Sequence, residues 1–228
     1  MSMFLSIKRF HRFLAGQSFY PLVMATLLAL AIFCGRVLIS RRVEFRLLVW
    51  NLFLAWLPYG FSMVAAGLHR LFPRRWGLLL APGLAWLVFF PNAPYIVTDL
   101  YHLEHRPPVP MWFDIGLISI YAITGFFLAA ASLRTMQILV KVYLGRWLSW
   151  AFAFATIGLG GLGIYLGRFV RVNSWDLLFN PFQIARGLAA PVLDPLNNLR
   201  FFGFTLMFTA ILLVFYLMFV SVINRAEE

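Results

Sequence analysis

Tyr95, Asp99, His102 and Arg106 recur at spacings of four, three and four residues, which places them on one face if the stretch is helical. An aspartate and a histidine three apart can share a metal ion or relay a proton. Two ligands do not complete a metal site, so no metal is assigned and no cofactor is named. The plainer reading is a set of interfacial polar groups facing lipid headgroups. A second polar string, Arg168, Arg171, Asn173, Trp175 and Asp176, closes a later apolar run. Arg168 sits within or at the edge of that run, and an ionisable group at membrane depth should be paired or face a cavity. Asp114 opens another run, where the helix dipole alone favours a carboxylate. Asn51 and Pro58, on one face of a further run, offer a polar spot and a freed carbonyl, or simply a structural hydrogen bond.

The first string follows Phe90-Pro91-Asn92-Ala93-Pro94. Each proline lacks a backbone donor and clashes with the preceding turn, so a helix arriving here should stop or kink near Phe90. Pro94 suits the first turn of a new short helix, with Asn92 or Ala93 near its cap. Irregular backbone at membrane depth persists only when buried in protein or lining a polar cavity, and broken helices often mark binding sites. A simple kink at the end of a span is the alternative. The candidate ligand-binding set is thus Asn92, Tyr95, Asp99, His102, Asp114, Arg168, Arg171, Asn173, Trp175 and Asp176, with no catalytic residue assigned.

These residues need elements to hold them, and the composition says which kind. The chain has 228 residues, 62% of them hydrophobic and 12% charged, with a mean hydropathy of +0.85. A soluble domain keeps roughly a quarter of its residues charged. An all-α, polytopic membrane protein is expected, with six transmembrane helices and a broken third. A span needs about 20 apolar residues. The six fall near Tyr20 to Ile39, Leu47 to Leu68, Trp76 or Pro82 into the proline motif, Trp112 to Leu133, Trp147 to Val170, and Phe201 to Ile223. Trp76, Trp112, Trp147 and Trp175 lie near span ends, as interfacial aromatics do. Residues 1–18 read as a basic interfacial segment, 19–224 as one membrane domain and 225–228 as a tail. The first span is expected to stay uncleaved, because it runs long, lacks a small-x-small site and meets Arg36 and Arg41. Phe182 to Val192, bracketed by Asn180-Pro181 and Asp194-Pro195, reads as a short helix lying along the interface. His105-Arg-Pro-Pro-Val-Pro110 reads as a rigid connector.

The net charge of +11 comes from short basic clusters between apolar runs, a membrane pattern rather than a nucleic-acid one. The expected partners are the lipid bilayer and a second copy or a membrane subunit, with no nucleic acid, in the cell's inner or plasma membrane. Basic residues divide almost evenly between the two sides, so orientation rests on Asp99, Glu104 and Asp114 in one connector, which lean toward cytoplasmic termini. The lone Cys34 excludes an intrachain disulfide.

Gly158-Leu-Gly-Gly-Leu-Gly163 matches a dinucleotide-binding pattern literally, but it lies mid-span, where no free helix N-terminus awaits a phosphate. Ala153, Thr156, Gly160, Gly163 and Gly167 share one face, so close helix packing is the expectation. Parity supplies the functional inference. With six spans, connectors 1–2, 3–4 and 5–6 emerge on one side, and Glu44, Asp99, Glu104, Asp114, Asp176 and Asp194 all belong to them or their margins. Asp99 or Asp114 is therefore expected to pair with Arg168 or Arg171.

Four strings carry a family resemblance: Trp50 to Trp56, Phe90 to Leu103, Pro110 to Asp114, and Gly163 to Asp176. In this order they resemble the bacterial membrane family known as domain of unknown function 1361, over roughly residues 45 to 200. Val172 departs from the aromatic more usual there. The resemblance implies a small multi-span membrane protein and carries over no activity. Three functions compete: binding or translocation of a small ion or solute, an enzyme acting on a lipid or lipid-linked phosphate, and an accessory subunit of a membrane complex. Whether it is an enzyme is left open.

Overall fold

The computed structural model describes Lys8, residues 11–104 and residues 106–227. Much of the basic N-terminal segment and His105 lie outside the described residues, as does the side chain of His102. Six helices are long and apolar enough to cross a membrane: Phe19–Ser40, Arg46–Leu71, Trp76–Tyr101, Met111–Leu144, Arg146–Val170 and Leu196–Arg225. They are spans one to six below. In hydrocarbon every backbone donor and acceptor must be satisfied within the chain, and helices do this locally.

Span four is the central rod. Its most apolar window is 61% buried, against 17% for span one and 22% for span six, which face outward. It runs well beyond the expected end near Leu133. Arg134 and Gln137 do not terminate it, because Arg134 donates to Asn224 of span six at 2.8 Å and Gln137 accepts from the Tyr216 hydroxyl at 2.6 Å. Gly145 ends it, with φ 89°, a conformation that costs glycine little.

Span three is interrupted as the prolines predict. A helix over Leu80–Phe89 gives way to a four-residue helix, Asn92–Tyr95, and a tight 3₁₀ stretch, Ile96–His102. Phe90 and Pro91 keep right-handed helical dihedrals, so the chain changes pitch without unwinding into extended backbone.

The glycines of span five explain where the interruption sits. A Cβ added at Gly160 would stand 3.1 Å from Phe90, at Gly163 2.5 Å from Pro91 and at Gly167 3.0 Å from Tyr95. On the other side, a Cβ at Gly125 of span four would strike the Ala93 carbonyl oxygen. The expected packing face is therefore real, and its partner is the Pro-Asn-Ala-Pro turn itself. Two smooth helix surfaces close on that turn from opposite sides.

The ends of spans three and five close on each other at one side of the bundle. Asn92 donates to Ser174 at 2.8 Å, and the Arg168 guanidinium lies over the Tyr101 ring at 4.8 Å. At the far end, the Tyr59 hydroxyl donates to the Gln17 carbonyl, Thr135 to the Gln17 side chain, and His69 meets Tyr143.

Candidate functional site

The site end of span three presents a row of polar groups to three neighbouring elements. Asn51 of span two donates to Asp99 Oδ2 at 2.8 Å, and Asp99 is only 7% exposed. A hydrogen bond to a charged acceptor inside a bundle is worth more than one in water, about 1.5–3 kcal/mol. The Asn51 reading as a structural hydrogen bond thus holds, and its acceptor is a candidate site residue. Thr98 turns its hydroxyl back to the Tyr95 carbonyl at 2.8 Å, which gives that carbonyl a hydrogen-bond donor at the end of the short helix. Asn92 is half-buried beside Ser174, and the Tyr95 ring lies on Gly167.

Span five ends in a π-helical turn, Leu166–Val170, closed by Arg171 at φ 58°. Single π-turns are rare and recur at functional sites. Here that turn carries Arg168, whose guanidinium lies over the Tyr101 ring of span three. Arg171 itself is exposed, and its left-handed backbone turns the chain into the next connector. Asn173 is exposed and donates its backbone N–H to Asp176 Oδ2 at 2.7 Å, while the Asp176 N–H returns to the Asn173 carbonyl at 3.0 Å. Asp176 holds a local turn, with half-buried Trp175 inside it.

Asp114 is placed differently from the expectation. It is fully buried, and its carboxylate goes to Arg36 of span one, not to Arg168 or Arg171. Arg36 Nε donates to Asp114 Oδ1 at 2.6 Å and Nη2 to Oδ2 at 3.1 Å, a two-pronged pair with both side chains at 0% exposure. Glu44 of the first connector reaches the same Nη2 at 2.8 Å and Arg42 at 3.8 Å. The Phe45 ring lies 4.6 Å from the Arg36 guanidinium and 5.1 Å from that of Arg106. Phe45 sits at φ 60° and Arg41 at φ 55°. Left-handed backbone costs a side-chain-bearing residue roughly 1–2 kcal/mol, so the ion pair and ring stacking must offset it. The physical reason for the changed partner is proximity: span one packs on span four, so Arg36 arrives first.

Sequence reasoning therefore missed Arg36 and Phe45 as site residues, and placed Glu44 only among the acids gathered at this face. A usable signal existed, because Arg36 is an ionisable residue inside an apolar run, the same criterion that singled out Arg168. Tyr101 and Ser174 gave no comparable signal. Among the described residues, no three His, Cys, Asp or Glu side chains gather at metal-binding distance.

An all-helical bundle with six membrane-spanning helices and a polar cluster at the shared ends of spans one to five defines a multi-pass membrane protein. The family described as "Protein of unknown function (DUF1361)" matches residues 50–215, and the chain belongs to it. No curated protein and no solved structure matches this chain.

Proposed function

We propose that this protein binds a small ion or solute at one membrane face and passes it into or across the bilayer. The observation that carries the reading is the Asn51–Asp99 contact at the end of an interrupted span. A carboxyl group at 7% exposure is costly unless it is paired or hydrogen-bonded, ionisable groups within spans are functional candidates, and helix interruptions are where transporters build binding sites. Arg168, on its π-turn, lies over the Tyr101 ring at the same end of the bundle and adds a positive charge to that face. The remaining site residues support the arrangement: Asn92 with Ser174 ties the short helix to the connector, and Asn173 with Asp176 holds that connector's turn. A second copy or a membrane partner is part of the reading, as is residence in the cell's inner or plasma membrane.

The test is electrical and optical recording of ion and solute uptake in proteoliposomes, over a panel of inorganic ions, organic acids and amines. A protein-dependent signal is expected, and Asp99→Asn should reduce it at least tenfold while leaving thermal melting within a few degrees of wild type. A signal untouched by Asp99→Asn, or none over the panel, would contradict the reading.

A further inference from the structure

We infer that Arg36 is an oxoanion-binding group, and that Glu44 is an internal stand-in for the ligand's carboxylate or phosphate. The inference rests on reading this face as a solute site and deepens it by naming the charge and shape of the solute.

Arg36 has two acidic partners of unlike character. Asp114 is buried at 0% and holds Nε and Nη2 from within the bundle, so it is a fixed support. Glu44 comes from the short connector, is 25% exposed at its side chain, and also touches the exposed Arg42. A side chain so placed can leave Arg36 and remain neutralised by Arg42. The third part of the guanidinium, Nη1, is buried and has no hydrogen-bond partner among the described residues. Nη1 and Nη2 form the outer edge of the guanidinium, the edge that matches two oxygens of a carboxylate or phosphate. Glu44 occupies only the Nη2 half of it.

The connector that brings Glu44 is also the part of this cluster under backbone strain. Arg41 and Phe45, one at each end of it, both hold left-handed dihedrals. Phe45 covers the Arg36 guanidinium face. Releasing Glu44 would free the connector to relax and uncover that face. Exposed Arg41, Arg42 and Arg46 flank or belong to this connector and would draw an anion toward it. An incoming oxoanion would then bridge Nη1 and Nη2, with Asp114 still holding Nε.

Thermal melting of the purified full-length protein in neutral detergent tests this, with inorganic phosphate and acetate as free probes at constant ionic strength. Nanodiscs of phosphatidylglycerol against phosphatidylcholine form a separate arm for a headgroup source. Phosphate or acetate, or phosphatidylglycerol in the lipid arm, should raise the midpoint. Glu44→Gln, which keeps the shape and removes the competing charge, should lower the half-saturating anion concentration about tenfold. In the wild-type protein, amide exchange across residues 41–46 should quicken when the probe is added, a readout that does not depend on any variant folding. Stabilisation identical in wild type and Glu44→Gln, together with unchanged exchange in 41–46, would make Glu44 a structural latch only and overturn the inference. Loss of the anion response with solute uptake intact sinks this inference alone. An anion response without uptake sinks translocation and leaves the binding site standing.

Discussion

Two arginines near the same membrane face, Arg36 in span one and Arg168 in span five, are held in opposite ways. Arg36 is fully buried, gripped by Asp114 from the central rod and by Glu44 from a connector. Arg168 is half-buried on a π-helical turn, lying over the exposed ring of Tyr101. The first is fastened into the bundle, while the second lies where spans three and five meet the surface. Charge at membrane depth therefore occurs here in two settings, one inside the bundle and one at its rim. Asp114, at 0% exposure, is a neighbour of the first, and the Tyr101 ring at the rim is a neighbour of the second.

The largest effect should fall on the buried pair. Removing one partner of a buried ion pair strands the other charge and costs about 3–5 kcal/mol. Arg36→Ala should therefore lower unfolding stability in detergent by that order, and Asp114→Ala by less, because Glu44 still pairs Arg36, with the double variant recovering part of the Arg36→Ala loss. Arg168→Ala, at a half-buried position near the rim, should cost less than Arg36→Ala. Equal losses at Arg36 and Arg168 would erase the distinction between them.

A smaller effect falls on the proline turn of span three, against which spans four and five pack. Gly163→Ala places a methyl against Pro91, and Gly125→Ala places one against the Ala93 carbonyl. Overpacking of this kind costs about 1–3 kcal/mol. Gly158→Ala meets nothing within 4 Å and should be neutral to slightly stabilising, although it belongs to the same glycine string. Equal melting of all three variants would show that the turn is not clamped.

The spans were legible because bilayer thickness imposes a length on apolar runs, and the interruption because prolines impose one on a helix. The glycine face of span five could be read from spacing, but not its partner, since Gly160, Gly163 and Gly167 carry no record of which helix approaches. The late end of span four was hidden because Arg134 and Gln137 look like terminators until Asn224 and Tyr216 are seen opposite them. The partner of Asp114 was hidden for a related reason. Parity brings several arginines to one side, but only the packing of span one on span four selects Arg36 among them.

Sided labelling tests the common face most directly. On a Cys34→Ser background, single cysteines at Val43, Tyr101 and Asn173 report connectors 1–2, 3–4 and 5–6, and one at Trp147 reports the other side. In sealed vesicles of known orientation, a membrane-impermeant maleimide should label the first three from one side only and the Trp147 position only from the other. Labelling of Tyr101 and Asn173 positions from opposite sides would separate the polar strings and contradict the account.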